Sequence, residues 1–247
     1  MSRLLRDKDP EHYRLITIRT QEARLWMTPS KNMEKLLGGI IARYQEIFNI
    51  DIYAYCFLGN HYHLLIKSPN SNTDEFCENL DREVARRVNW KYRRQGKFWA
   101  RRYTDQRVIS ESDLLSAFLY VTSNSVKHGL VEHPSKWPGL SSYFQSIHES
   151  KRSFTFYHYA QQAPEKRTTR HELKLSLLPQ FEGLTKEERK AKINAEIEEF
   201  TSNLVKARRA AGHGFLGVKG VLEQLPGSRP REVSCSPRPS CYSKDTH

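Results

Sequence analysis

Residues 58–67 read LGNHYHLLIK and contain two histidines, His61 and His63, on either side of a single residue. The run alternates in polarity, which predicts a β-strand. Side chains leave a strand on alternate faces, so the two imidazoles would share one face and Tyr62 would leave the other. Two imidazoles side by side form half of a divalent-metal site that needs a third ligand from elsewhere. The alternative, which this stretch alone leaves open, is a histidine pair on a solvated sheet face.

The segments around this stretch predict the element order β-α-β-β-α-β. Gly59-Asn60 is a two-residue hairpin signal before the histidines, and Ser30 is the expected N-cap of the first helix. This order is the ferredoxin-like arrangement, an α+β fold whose antiparallel sheet carries its helices on one face. The other face would then be free for a ligand. The predicted strands are 13–20, 51–58, 61–68 and 98–109, and the helices are 30–44 and 72–94.

A third helix is predicted over residues 114–127, with Ser110 as a capping residue and Gly129 as its stop. Tyr120 and Asn124 are four residues apart and would lie on one helical face. A tyrosine bordered by small residues, an amide and a lysine is open to a phosphodiester. Half-buried packing is the alternative role for a tyrosine in a helix.

The composition predicts a nucleic-acid partner. The 247 residues include 40 Lys and Arg against 28 Asp and Glu, a net charge of +12, and such a protein binds polyanions by releasing their counterions. The basic residues alternate with aromatic ones in 90–94 and 97–103, which suits phosphate contacts combined with base stacking. The expected DNA-binding residues are Lys127, Arg86, Arg93, Arg94, Lys97, Arg101 and Arg102.

The sequence has no apolar run of about 18 residues, so no membrane span is expected. Charged residues rather than an apolar segment follow Met1, which argues against a signal peptide. The four cysteines show no CxxC spacing and are expected to be reduced thiols. We therefore expect a cytoplasmic protein with no membrane partner.

Three separated motifs resemble those of one known family. LGNHYHLLI (58–66) resembles the HUH signature, and LYVTSNSVKHGLV (119–131) is similar to the tyrosine helix of the single-tyrosine HUH transposases. WP (137–138) and SSY (141–143) resemble the W-P-x-S-S-Y segment of the REP-associated tyrosine transposases, whose helix typically reads Y-x-x-x-N-P-V-K-x-G. The resemblance covers roughly residues 10–145.

This resemblance implies the HUH endonuclease fold and an enzyme that nicks and rejoins hairpin-bearing single-stranded DNA. His61, His63 and Asn124 would then hold Mg²⁺ or Mn²⁺, and Tyr120 would be the nucleophile that forms a 5′-phosphotyrosine intermediate. The protein would be a monomer or a homodimer in the bacterial cytosol or nucleoid.

The sequence departs from the family at two positions. Tyr62 stands where the family prefers an aliphatic residue, and it is expected to face the core. Ser125 replaces the usual proline, so Asn124 would be aimed differently at the end of the helix. The alternative third ligands are Glu132, His128 and His133.

The chain divides into four predicted segments. Residues 1–147 form the catalytic domain, 148–180 a linker, 181–226 a helical extension and 227–247 a disordered basic tail. The extension begins with the capping-box pattern of Thr185 and Glu188 and is expected to take part in DNA or target recognition.

Three other functions are compatible with these observations. The first is a catalytically silent, domesticated DNA-binding protein of the same fold. The second is a replication-initiator or relaxase nickase, although the single tyrosine and the Asn-x-Val-Lys helix favour the transposase branch. The third is a small metal-binding module.

Overall fold

Four antiparallel strands form the central sheet of the computed structural model, which describes residues 9–159, 167–230 and 241–242. They are β1 (Tyr13–Arg19), β2 (Asp51–Phe57), β3 (His61–Lys67) and β4 (Thr104–Val108), in the spatial order β2-β3-β1-β4. This is the ferredoxin-like order, so the predicted α+β fold class is confirmed. Cys241–Tyr242 adds a short parallel strand beside β4.

Two helices cover one face of the sheet, as predicted. They are α1 (Lys31–Phe48) and α2 (Thr73–Lys91). The predicted cap of α1 is confirmed, because the Ser30 hydroxyl accepts a hydrogen bond from the Met33 amide at 3.1 Å. Alternate residues of β3 enter the apolar cluster under these helices: Tyr62, Leu64 and Ile66. The period of two predicted for this strand is therefore confirmed.

The opposite face of the sheet is also covered, so the expectation that it is free for a ligand is wrong. Helix α3 (Glu111–Thr122) packs on β2 and β3. Its apolar residues share a buried cluster with side chains from the sheet: Leu15, Leu65 and Val108 against Leu114, Ala117, Phe118 and Val121. The predicted helix 114–127 is divided at Ser123, and its last turn is α4 (Asn124–Lys127).

The predicted fourth strand, 98–109, is shorter in the structure because residues 98–103 form a loop before β4. Trp99 pairs with Thr20 in an isolated bridge, and its indole N–H donates to the Asp81 carbonyl at 2.9 Å. The Ala100 amide donates to the Arg19 carbonyl at 2.9 Å. These contacts hold the basic loop against the end of β1.

The segment 148–180, predicted as a linker, contains a β-hairpin. After α5 (Tyr143–His148), strands β5 (Arg152–Tyr157) and β6 (Thr168–Leu173) pair in antiparallel register and pack on α1. Phe154 lies directly against Gly38. The linker prediction is wrong here because α1 supplies the apolar surface that the polar hairpin lacks; residues 160–166 lie outside the described part.

The C-terminal extension consists of α6 (Lys186–Ala210) and α7 (Gly217–Leu222). The capping box is confirmed, with the Glu188 carboxylate accepting from the Thr185 amide at 2.8 Å. Ile193, Ile197 and Val221 enter the same buried cluster as α3. A boundary at residue 147 stays a prediction, but residues on both of its sides share one core.

Only part of the predicted disordered tail lies among the described residues. Residues 227–230 pack against the body of the protein, because the Gly227 amide donates to the Leu25 carbonyl and the Leu25 amide donates to the Ser228 carbonyl, both at 2.9 Å. Most of the tail, 231–240 and 243–247, falls outside the described residues. No helix in the described ranges is both long and apolar enough to span a membrane.

Gly39→Val should destabilise the fold by about 1–3 kcal/mol, the usual cost of overpacking. A Cβ at Gly39 would lie 2.5 Å from the Thr155 carbonyl oxygen, so α1 and β5 would have to separate. Helix propensity favours valine by only about 0.3 kcal/mol, so the steric cost should dominate. Urea unfolding measures the change, and Lys35→Val, at an exposed position of the same helix, is the control. Equal stability of the two variants would contradict this packing.

Candidate active site

His61 and His63 lie together on the sheet face that α3 covers. Each is only 4% exposed, and their ring centroids are 5.1 Å apart. The alternative of a solvated histidine pair is therefore wrong. Burial of two imidazoles side by side is costly unless their polar atoms find partners.

The Nδ1 atom of each histidine is held by a neighbouring polar side chain. His61 Nδ1 lies 2.6 Å from Asn60 Oδ1, and the Asn60 amide nitrogen donates to the Ala23 carbonyl. Asn60 therefore presents its oxygen to His61, whose Nδ1–H donates. His63 Nδ1 lies 2.7 Å from Thr17 Oγ1. Such partners fix the ring orientation and leave Nε2 as the ligand atom.

Burial lowers the pKa of His61 well below its usual value, and nearby His128, His63 and Arg19 lower it further. The imidazole is therefore neutral at pH 7, which is the form that coordinates a metal. Its Nε2 atom is buried and has no hydrogen-bond partner among the described residues. A buried polar atom of this kind is expected at a site that takes a ligand.

A third histidine, His128, completes a cluster with the pair. Its ring lies 4.7 Å from that of His61, and one nitrogen of each of the three imidazoles lies within 4.8 Å of the others. Three imidazoles at this spacing could hold a divalent transition-metal ion. His128 is thus the one of the three alternative ligands that the structure brings to the site.

The other two alternatives lie elsewhere. His133 Nε2 is 2.8 Å from Glu198 in α6, and Glu132 accepts from Arg209 at 2.9 Å. Both side chains therefore connect the segment that follows α4 to helix α6 of the extension. Neither is in the histidine cluster.

Asn124 is fully buried at the start of α4, between His61 and Tyr120. Burial lowers the pKa of His61 and raises that of Tyr120, and the Asn124 side chain opposes both of these shifts. Neither its amide oxygen nor its nitrogen makes a hydrogen bond of normal geometry within the described chain. Its oxygen is therefore also available to a cation.

Tyr120 lies against the pair, with its ring 5.1 Å from that of His63. It is 8% exposed, and burial raises its pKa to about 12, opposed by Asn124 and by the charge of Arg19. The Lys127 amine lies 4.3 Å from the centre of the ring. Two cations therefore flank a phenol that is protonated at neutral pH.

The two departures from the family pattern have structural explanations. Tyr62 is buried on the opposite face, as expected, and its hydroxyl donates to Asp81 at 2.6 Å. The backbone of Ser125 makes a hydrogen bond to the Cys56 thiol, whose pKa burial nevertheless raises to about 12. A proline at position 125 has no amide hydrogen to donate.

Three residues near the histidines were missed by the sequence analysis: Thr17, Arg19 and Asn60. In the β1–β3 register, Thr17 is opposite His63 and Arg19 is opposite His61. The fold class predicts that β1 and β3 are neighbours, but not the register that pairs these residues. The position of Asn60 next to His61 was the available signal for its role.

Five of the predicted DNA-binding residues follow α2 along the loop that leads to β4: Arg93, Arg94, Lys97, Arg101 and Arg102. Arg94 stacks on Trp26 at 4.4 Å. Arg86 lies earlier, on α2, and is paired with Glu83 at 2.7 Å. Lys127 lies instead in the histidine site.

Residues 11–124 match the family model described as "Transposase IS200 like". This segment, which is less than half of the chain, is similar to the IS200-like transposases. The match ends at Asn124, so it includes the histidine pair and Tyr120 but not His128 or the C-terminal extension. The resemblance expected from the motifs is confirmed.

A Haemophilus influenzae protein named as a REP-associated tyrosine transposase is 30% identical over 114 aligned residues, and the match covers 41% of this chain and 64% of the relative. The chain thus spans somewhat less than two thirds of the length of that relative. A solved REP-associated tyrosine transposase, bound to a REP hairpin, matches with a TM-score of 0.51 at 17% identity. That match covers 60% of this chain and 86% of the other and supports the fold.

Thr17→Val should weaken Mn²⁺ binding by about 10–100-fold, the usual effect of losing a partner behind a histidine ligand. The change keeps the shape of the side chain but removes the group that holds His63 Nδ1. Isothermal titration with Mn²⁺ measures the affinity. Thr155→Val, exposed on β5, is the control and should bind as the wild type does; unchanged affinity in Thr17→Val would show that His63 does not need this partner.

Proposed function

We propose that this protein is a metal-dependent, single-tyrosine HUH transposase that nicks and joins single-stranded DNA. His61 and His63 would hold Mg²⁺ or Mn²⁺ through Nε2, and Tyr120 would be the nucleophile. The observation that carries the proposal is the 5.1 Å approach of the Tyr120 ring to His63. This contact supports the proposal because it brings a phenol beside two buried imidazoles, of which that of His61 is neutral at pH 7.

The reaction is an exchange of phosphate esters. The Tyr120 oxygen attacks phosphorus, its bond to phosphorus forms, and the bond between phosphorus and the 3′ oxygen breaks. The phenol loses its proton to solvent, and the departing 3′ oxygen gains one. The products are a 5′-phosphotyrosine and a free 3′-hydroxyl, and because the ester is conserved, joining needs no ATP.

The bound cation would neutralise a phosphate oxygen and orient the ester. The chain's own residues address the remaining problem, which is the high pKa of Tyr120. The positive charge of Arg19 favours the phenolate, and Lys127, whose amine lies over the ring, would act in the same direction. Burial of the site strengthens these interactions relative to water.

The proposed substrate is a DNA hairpin with single-stranded flanks, encountered in the bacterial cytosol. The basic loop that follows α2 would contact phosphates near the site. It is held beside Arg19, and Arg19 lies opposite His61 in the sheet. The REP hairpin in the solved relative has the same chemistry. The positive net charge supports a polyanionic partner.

Tyr120→Phe should abolish a covalent protein–DNA adduct and leave hairpin binding unchanged. The variant removes only the attacking oxygen. The measurement mixes the protein with labelled hairpin oligonucleotides from the DNA on both sides of its gene, with and without Mn²⁺, followed by a denaturing gel. Tyr44→Phe, on α1, is the matched control and should form the adduct.

A metal-dependent adduct in the wild type and in Tyr44→Phe, but not in Tyr120→Phe, would support the proposal. Tight hairpin binding without an adduct in any of the proteins would support the catalytically silent DNA-binding protein instead. An adduct that persists in Tyr120→Phe would assign the nucleophile to another residue.

The third ligand can be assigned by comparing Asn124→Ala with His128→Ala. We expect the variant that removes the true ligand to lose at least about tenfold in Mn²⁺ affinity by isothermal titration, and the other to lose less. His61→Ala is the reference variant and should lose more than about a hundredfold in Mn²⁺ affinity. Loss of a partner that only holds a ligand in place already costs about 10–100-fold. Equal affinity in His61→Ala and the wild type would refute a metal site here.

A further inference from the structure

Residues 214–230, called here the wall segment, cross the mouth of the histidine site. The segment is fixed at one end by the Leu216 amide, which donates to the Gly129 carbonyl at 2.9 Å. At the other end, the backbones of Gly227 and Leu25 are hydrogen-bonded. The segment therefore runs from the turn that follows His128 to Leu25, in the loop between β1 and α1.

A cavity of about 640 Å³ lies between the wall segment and the domain. It adjoins a smaller cavity of about 60 Å³ that reaches His61 and Asn60. The two cavities share several lining residues: Leu25, His128, Leu130, Gln224 and Pro230. A group held in the larger cavity would therefore lie next to the histidine cluster.

The side chains that line the larger cavity have the chemistry that recognises a nucleotide. Arg208 stacks over Phe215 at 5.5 Å, and its Nε donates to the Gly214 carbonyl at 2.7 Å, which fixes the guanidinium in place. The lining also contains Arg229, whose guanidinium is paired with Glu22 at 2.9 Å, the acidic Glu223, and Gln224, which offers both a donor and an acceptor. Cations, an amide and an aromatic face suit a phosphate, a base edge and a base plane respectively.

We propose that this cavity binds one unpaired nucleotide of the DNA strand, next to the phosphate that is cut, and selects it by its base. The proposal rests on the proposed nicking activity. The volume lies within the range of about 300–1,000 Å³ typical of small-molecule pockets. Enzymes that take a base out of its stack read it by hydrogen bonds to its edge and by stacking, and Gln224 and Phe215 are the residues placed for these contacts.

The residues that would contact the nucleotide come from the C-terminal extension. The matched transposase region ends at Asn124, whereas Arg208, Phe215 and Gln224 belong to the extension. Arg208 packs directly on Gly129, where a side chain would collide with it. The extension thus places its side chains immediately behind the tyrosine helix, as a base-specificity site requires.

The test uses the full chain, Mn²⁺ and sets of hairpin oligonucleotides in which each single-stranded position within three nucleotides of the cut is varied through all four bases. The rate of adduct formation is measured for each. The wild type should prefer one base at one position by about tenfold or more, which corresponds to about 1.4 kcal/mol. Gln224→Ala and Phe215→Leu should reduce that preference to about threefold or less.

Leu222→Ala, exposed on the same segment, is the control and should keep the full preference. Thermal melting shows whether each variant is folded. If the wild type forms the adduct but shows no base preference, or if Gln224→Ala and Phe215→Leu both keep it, the nucleotide pocket is refuted and the nicking activity stands. If the folded wild type neither binds hairpins nor forms an adduct, the proposed function fails, and the pocket with it.

Discussion

The alternation of side chains along β3 is the constraint on which the rest of the structure depends. Tyr62 must enter the core beneath α1 and α2, so His61 and His63 must leave the other face. Antiparallel pairing with β1 then brings Thr17 and Arg19 opposite the two histidines. A shift of one residue in this register would turn the imidazoles toward α1 and α2 and put the apolar residues Tyr62, Leu64 and Ile66 under α3, where the histidine site now lies.

Covering the histidine face with α3 has an energetic consequence. Burial raises the pKa of Tyr120 to about 12 and lowers that of His61, so both groups are uncharged at neutral pH. The neutral form suits the metal-ligand role proposed for His61, whereas the protonated phenol is an obstacle to the nucleophile role proposed for Tyr120. The Asn124 side chain and the positive charge of Arg19 oppose this effect of burial on the pKa of Tyr120, and a bound cation would act in the same direction.

The sequence predicted the elements that rest on strong local periodicity: the four sheet strands, both covering helices and the capping box of Thr185. It missed the β5–β6 hairpin, although Phe154 and Phe156 alternate within RSFTFY, because its partner strand TTRHEL is mostly polar. Its apolar surface comes from α1, more than a hundred residues earlier. Such contacts depend on tertiary packing and leave little local pattern in the sequence.

The sequence likewise predicted only part of the candidate site. The period of the strand predicted that His61 and His63 share one face, and the structure brings Tyr120 and Asn124 close to them, whereas the roles proposed for these four residues come from the family resemblance. The sequence offered His128 as one of three alternative ligands but could not select it, because its approach to His61 depends on where the chain turns after the break at Ser123. The wall segment joins the site through backbone hydrogen bonds to Leu25 and Gly129, which no side-chain pattern encodes.

The most direct test of the central claim is mass spectrometry of the protein after reaction with a hairpin oligonucleotide and Mn²⁺, followed by nuclease and protease digestion. We expect a nucleotide attached through phosphate to the peptide that contains Tyr120, with the DNA joined by its 5′ end. Attachment to another tyrosine, or attachment through the 3′ end, would contradict it.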